Sequence, residues 1–284
     1  MIESINWFPG HMAKTRREIQ ENLKLVDVVI EIRDSRIVRS SANPQIIDIC
    51  KNKPRIILLN KCDLSEGKVT KAWVDFLSKD NVKAIAVNSM NGLGLNSIKG
   101  EIDKLLKEKT DRMRSKGVTN VISRVMVVGI PNVGKSSFIN KMAGTKIARI
   151  GDRPGVTKSK QWIKTKMGIE LMDTPGVLWP KFEEKTVGLN LAFTGAIKDE
   201  IMDIEELAIK LIEKLQKYNP NNLMKRYKLE ALEDDALANI EMIARKRGAV
   251  VSKGNVDYNR VSVMLLDEFR GGKLGQVSLE RPTE

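Results

Sequence analysis

Gly129-Ile130-Pro131-Asn132-Val133-Gly134-Lys135-Ser136 has the spacing of a Walker A loop, a pattern built to hold phosphate. Glycines let backbone N–H groups turn inward around a β-phosphate, Lys135 supplies a point charge to the β and γ oxygens, and Ser136 offers a hydroxyl to Mg²⁺ at the start of a helix whose dipole favours the anion. The nucleotide-contacting stretch expected from this pattern is Pro131, Asn132, Val133, Gly134, Lys135, Ser136 and Ser137. About 40 residues on, Asp173-Thr174-Pro175-Gly176 ends an apolar run, so that Asp173 can reach the Mg²⁺ through water and the Gly176 N–H can meet a γ-phosphate. Between the two motifs, Thr157 is the candidate switch threonine whose hydroxyl caps Mg²⁺, and Thr165 is its competitor. Asn60-Lys61-Cys62-Asp63 supplies a carboxylate, Asp63, that can accept from guanine N1–H and the N2 amine; adenine presents no such pair of donors, and a site of this kind discriminates by about 10⁴ or more. Asn88, Ser89 and Met90 form a second loop suited to cradle the base.

These groups need strand ends to hold them. DVVIEIRD, RIILLN, KAIAVN and ISRVMVVG are short Val/Ile/Leu-rich runs with almost no inside/outside alternation, separated by helix-like segments, as a parallel sheet covered on both faces demands. A basic helix runs from Met12 to about Leu25, and Asn43 before Pro44 reads as an N-cap with proline at the first helical position. EKTDRMRSKGVTN reads as a polar tether, and Met167-Gly168 as a hairpin turn. Beyond about Lys181 the apolar spacing changes to three and four residues in segments 186 to 197, 203 to 217, 229 to 247 and 256 to 270, the signature of a helical bundle. The expected fold is an α/β P-loop domain over 1–178, doubly wound with a mostly parallel sheet, followed by an all-α domain over 179–284. The guanine-reading loops precede the phosphate loop, so the domain is circularly permuted relative to the usual order. A sheet whose termini lie close together tolerates this.

The net charge is +13, and it is unevenly placed: residues 1 to 178 carry 32 Lys+Arg against 18 Asp+Glu, the remainder 17 against 18. A polyanion-binding surface is therefore expected on the nucleotide-binding domain, with local patches at Lys225, Arg226, Lys228 and at Arg245, Lys246, Arg247. Cys50 and Cys62 have neither metal-ligand spacing nor the density of a disulfide scaffold, and no run approaches the length of a membrane span, so a cytoplasmic protein is expected.

The rotated motif order, the opening Trp7-Phe8-Pro9-Gly10-His11-Met12-Ala13-Lys14 and the downstream helices together resemble the ribosome biogenesis GTPase A group (RbgA/YlqF) of circularly permuted GTPases, over nearly the whole chain. The resemblance implies a doubly wound GTPase domain with an RNA-binding helical domain, GTP/GDP and Mg²⁺ as ligands, and the large ribosomal subunit and its rRNA as partners in late assembly. It also implies slow intrinsic turnover that the subunit accelerates. The position after Gly176, where many GTPases place a water-orienting glutamine, is Val177. The family assigns a catalytic histidine to the motif that contains His11, the only histidine here; an RNA contact or packing beside Trp7 and Phe8 is the competing reading. Asn132 matches the loop asparagine of potassium-activated GTPases, which adds K⁺ as a candidate ligand. Val177 also leaves open a nucleotide-gated RNA-binding scaffold in which hydrolysis is incidental, and another RNA-related GTPase would share every one of these motifs. The family's Asp-x-Arg element falls on Asp34-Ser35-Arg36, with a structural salt bridge as one reading.

Overall fold

The computed structural model describes residues 9–79, 81–119, 121–145, 162–179, 182 and 184–283, with side chains from 13 onward. Two compact units are present. One is the helical stretch Phe182–Leu279; the other comprises the described residues before it together with the segment from Glu280.

The larger unit begins with α1 (Pro9–Asn22), β1 (Val28–Asp34), α2 (Pro44–Cys50), β2 (Arg55–Asn60), α3 (Gly67–Leu77) and β3 (Val82–Ala86). It continues through α4 (Ile98–Leu105), α5 (Lys107–Arg114), β4 (Ser123–Val128), α6 (Lys135–Ala143), β5 (Trp162–Lys164) and β6 (Ile169–Asp173). The strand order is β3-β2-β1-β4-β6-β5, parallel except for the β5–β6 hairpin, whose turn uses Gly168 at φ +71°. All seven residues of β1 are buried, as a strand covered on both faces requires. On one face α1, the turn that follows it and α2 set Ile19, Leu23, Ile46 and Cys50 against Val29, Met126 and Val128, while Trp73 of α3 joins Val38, Ile57, Leu59 and Ala84. Burial pushes the Cys50 thiol up to about 12, which marks it as a core residue. The Asn43 side chain caps α2 by accepting from the Gln45 and Ile46 N–H groups.

The stretch expected to be a tether is different. Its first half is α5, a helix with no buried residue, tied back by an ion pair between Lys109 and Asp27. The last segment also departs from the expected 179–284 grouping. The Glu280 carboxylate accepts from the backbone N–H of Arg39 (2.6 Å) and Ser40 (3.1 Å) and from the Ser40 hydroxyl, and the Trp73 indole donates to the Glu280 carbonyl (3.3 Å).

The helical unit contains α7 (Lys185–Phe193), α8 (Ile204–Tyr218), α9 (Pro220–Tyr227), α10 (Ala236–Arg247) and α11 (Tyr258–Arg270). Asp203 and Asp235 cap α8 and α10 through their side chains. Its polar centre is Glu268, bonded by Arg226 (2.5 Å), Arg247 (2.8 Å) and the Tyr227 hydroxyl (2.9 Å). The Arg226 hydrogen bonds, with Tyr227 and Arg247 beside them, hold the Glu268 carboxyl down to about 2. Arg226 and Arg247, expected to belong to polyanion-facing patches, are thus committed to an internal carboxylate. Lys225, Lys228, Arg245 and Lys246 remain exposed. Among the described residues no helix is long and apolar enough to cross a membrane.

Candidate functional site

The strand order reverses between β1 and β4, and in open α/β sheets ligands bind at such a switch point, beyond the carboxyl ends of the strands. Five of the motifs expected to do chemistry leave those ends: the Asp34 element from β1, Asn60 to Asp63 from β2, Asn88 to Met90 after β3, the phosphate loop from β4 and Asp173 from β6.

The loop from Gly129 to Gly134 is held by its neighbours. A Cβ on Gly129 would lie 2.6 Å from the Ile32 carbonyl, and one on Gly134 (φ +95°) 2.3 Å from Asn60 Nδ2, so both must be glycine. Asn60 fastens three loops together: its Nδ2 donates to the Val133 carbonyl (2.7 Å), and its Oδ1 accepts from the Ser89 N–H (3.0 Å). Asn88 Oδ1 accepts from the Met90 and Asn91 N–H groups at 2.8 and 3.2 Å, which closes the loop expected to cradle a base. Lys61, at φ +59°, donates to the Asn132 carbonyl (2.7 Å) and to Asp34 Oδ2 (2.9 Å). Asp63 lies exposed just beyond, on a turn fixed by Leu64 N–H to the Lys61 carbonyl (2.9 Å) and Cys62 N–H to the Val87 carbonyl (3.2 Å).

Lys135 opens α6 and is buried, donating to the Ile130 carbonyl (2.7 Å) inside its own loop. Burial depresses its amine to about 8, against the opposing charge of Asp173. A Cβ on Gly176 would stand 2.7 Å from Lys135 Nζ and 3.0 Å from Pro131 Cα, so the backbone at Gly176 closes tightly over the lysine. Asp173 Oδ1 is buried and has no hydrogen-bond partner among the described residues, and burial raises that carboxyl. A buried acceptor without a donor fits a hydrated cation, with Ser136 at the helix start as the second oxygen. Thr174 is turned away from this centre, its hydroxyl donating to the Val127 carbonyl (2.7 Å).

Val177 is held at both ends of its peptide. Its N–H donates to the Gly129 carbonyl (3.4 Å), and its carbonyl accepts from Asn43 Nδ2 (2.9 Å). Asn43 was legible as a cap but not as a tie to this segment. Thr165 serves the β5–β6 hairpin, its hydroxyl accepting from the Ile169 N–H (3.3 Å). Thr157 lies outside the described residues; His11 falls within α1, with its side chain outside them. Asp34 and Arg36 form the salt bridge read for them, at 2.8 Å.

A family model described as 50S ribosome-binding GTPase matches residues 124–244, beginning at the strand that leads into the phosphate loop. Ribosome biogenesis GTPase A of Bacillus licheniformis is 49% identical over 99% of this chain and 99% of its own. Mitochondrial ribosome-associated GTPase 1 of Bos taurus is 32% identical, over 97% of this chain and 88% of its own. A solved structure of GNP-bound YlqF from T. maritima is 27% identical, with a TM-score of 0.65 over 95% of this chain and 99% of that one. With the phosphate loop, the guanine-reading loop ahead of it and these relatives over its full length, the chain belongs to the ribosome biogenesis GTPase A family of circularly permuted P-loop GTPases.

Proposed function

We propose that the chain is a GTPase that binds the rRNA of a large ribosomal subunit precursor and promotes late assembly in the cytoplasm, with GTP hydrolysis controlling its release. The observation that carries this reading is the Asn60 clamp, which joins a phosphate loop to a guanine-reading loop in one rigid cradle. Lys135 and the loop N–H groups bind the β- and γ-phosphates, Ser136, Thr157 and, through water, Asp173 hold Mg²⁺, and Asp63 reads the base against the Asn88 to Met90 loop. When bound, Mg²⁺ neutralises charge that develops on the phosphates. Asn132 is the candidate contact for K⁺.

Hydrolysis by the isolated chain is slow in this reading, because Val177 is apolar and its backbone is engaged by Gly129 and Asn43, so no side chain there orients water. His11 supplies the polar group once the ribosomal subunit is bound. The names of the relatives, which link them to the ribosome, and the basic excess of residues 1 to 178 support the partner assignment.

Co-sedimentation with large subunits tests the whole reading. Affinity should differ about 5- to 150-fold between a GTP analogue and GDP, the usual size of a coupling between two sites, and should fall steeply with salt. Equal retention in both nucleotide states would reject nucleotide control, and retention on small subunits alone would reject the partner.

Lys135 provides a check on the phosphate contact that needs no ribosome. Phosphate restores its amine to the ordinary lysine range, so a chain that binds nucleotide above pH 8 must take up a proton. GDP titrations in buffers of different ionisation enthalpy should show clearly more proton uptake at pH 8.5 than at pH 7. Equal uptake at both pH values would remove Lys135 from the phosphate site.

A further inference from the structure

The Asp34 carboxylate is a strongly held charge near the cradle that the proposed function leaves without a task. It sits at the end of β1, directly beside Asn60 in the strand register, and is 1% exposed. Oδ1 accepts from the Arg36 N–H (3.1 Å) and Arg36 Nε (2.9 Å), and Oδ2 from Arg36 Nη2 (2.8 Å) and Lys61 Nζ (2.9 Å). Burial alone would raise this carboxyl, but the Arg36 and Lys61 charges and their hydrogen bonds hold it well below the usual carboxylate range. The next residue reinforces the same corner, since Ser35 gives both its N–H (2.9 Å) and its hydroxyl (2.8 Å) to the Asn60 carbonyl.

Two roles can be told apart. The three contacts with Arg36 are local and would serve to shape the turn after β1. The contact with Lys61 reaches a different loop, and the same Lys61 amine passes on to the Asn132 carbonyl in the phosphate loop (2.7 Å). Lys61 is pulled two ways: its burial and the nearby Arg36 guanidinium disfavour the charged form, and Asp34 favours it. With Asp34 neutral, two cations would face each other in a poorly hydrated corner, and the long lysine side chain would be expelled to solvent or lose its proton. Expulsion takes the donor away from the Asn132 carbonyl and deprotonation weakens it, so of the two ties between the guanine-reading and phosphate loops only the Asn60 to Val133 bond keeps its full strength.

We propose that Asp34 is a positioning residue for guanine-nucleotide binding, acting through Lys61 to lock the guanine-reading loop onto the phosphate loop at Asn132. The inference rests on the nucleotide-site reading given above. It assigns Asp34 no contact with the nucleotide, and it separates the Asp-x-Arg element into a stabilising half, Arg36, and a recognition half, Asp34.

A double-mutant cycle in GDP affinity tests it. Asp34→Asn should weaken GDP about 10- to 100-fold, the range for loss of a hydrogen bond between charged groups. Lys61→Met should do the same, and Asp34→Asn added to Lys61→Met should cost little more, under about threefold. Arg36→Met should lower the thermal midpoint while changing GDP affinity by less than about threefold. A shared fold-stabilising role would instead make the Asp34 effect equal in both backgrounds, or make Arg36→Met as damaging to affinity as Asp34→Asn, and either result overturns the proposal. Should Asp34→Asn not fold, Asp34→Glu displaces the charge by one methylene and enters the same cycle. A loss confined to the chain that retains Lys61 supports the inference; an equal loss in both backgrounds, or none in either, overturns it. Failure of the wild-type chain to bind GDP at all would strike at the site reading instead.

Discussion

Replacing Lys135 by alanine is expected to raise the GDP dissociation constant at least about 100-fold, and toward 10⁴-fold, while leaving the nucleotide-free protein no less stable. The two halves have one cause. Lys135 is buried with a carbonyl, not a carboxylate, as its hydrogen-bond partner, and burial depresses its amine from the ordinary lysine value to about 8. A depression of that size costs the charged form roughly 3 kcal/mol in the free protein. Phosphate binding relieves the cost by supplying the missing negative charge, so the strain is present only while the site waits for its ligand. The sign in pH follows. Below pH 8 the amine is charged in both folded and unfolded chains and the cost is fully present; between pH 8 and the unfolded lysine value the folded chain sheds its proton first, and stability rises with pH. Thermal unfolding of the nucleotide-free chain at pH 7 and pH 9 should therefore show a rising midpoint for wild type and a flatter one for Lys135→Ala. A midpoint that drops by several degrees in the variant at both pH values would mean that Lys135 is a packing residue and that its loss of binding is indirect.

What could be read from sequence follows from the range over which each feature acts. The phosphate loop, Asp173 to Gly176 and Asn60 to Asp63 are local patterns at strand ends, and the structure brings them to one edge of the sheet. The Asn43-Pro44 cap was readable for the same reason, since a cap needs only its own N–H neighbours. The helix α5 was missed because apolar periodicity is the signal for a helix, and Lys107–Arg114 buries nothing. The window 229 to 247 began seven residues ahead of α10, and α9 fell in the gap between it and the window 203 to 217. The remaining misses are tertiary. Asn43 reaches the Val177 carbonyl 134 positions away, and Glu280 reaches Ser40 across 240. No spacing rule connects such partners. Arg226 and Arg247 mislead in the opposite direction, because a basic cluster looks the same in sequence whether it faces phosphate or an internal Glu268.

Asp63→Asn should convert a guanine-selective site into one that prefers xanthine, with GDP weakened about 100-fold or more and the fold undisturbed. The argument starts from the backbone. Lys61 in its left-handed conformation, the Lys61–Leu64 turn and the Cys62 to Val87 bond fix the chain on both sides of residue 63, and the side chain itself is exposed. The change is isosteric at an exposed position and removes only one of the charges acting on Lys61, so the thermal midpoint of the nucleotide-free protein should move by no more than about 2 °C, as for a surface substitution. The chemistry changes completely. A carboxylate presents two acceptors to the N1–H and N2 amine of guanine, whereas a carboxamide presents one acceptor and one donor and leaves a guanine donor facing a donor. Xanthine carries an oxygen at C2, which accepts from that carboxamide, so its affinity should rise as that of GDP falls. Adenine gains nothing from either form. Competition of GDP, XDP and ADP for both proteins measures all three statements at once. If XDP gains nothing in the variant while GDP is retained, or if ADP competes with GDP at the wild-type site, the base is read somewhere other than Asp63. Because the phosphate loop would still bind diphosphate in that case, the result would separate the guanine assignment from the Lys135 assignment, which depends on the phosphates alone.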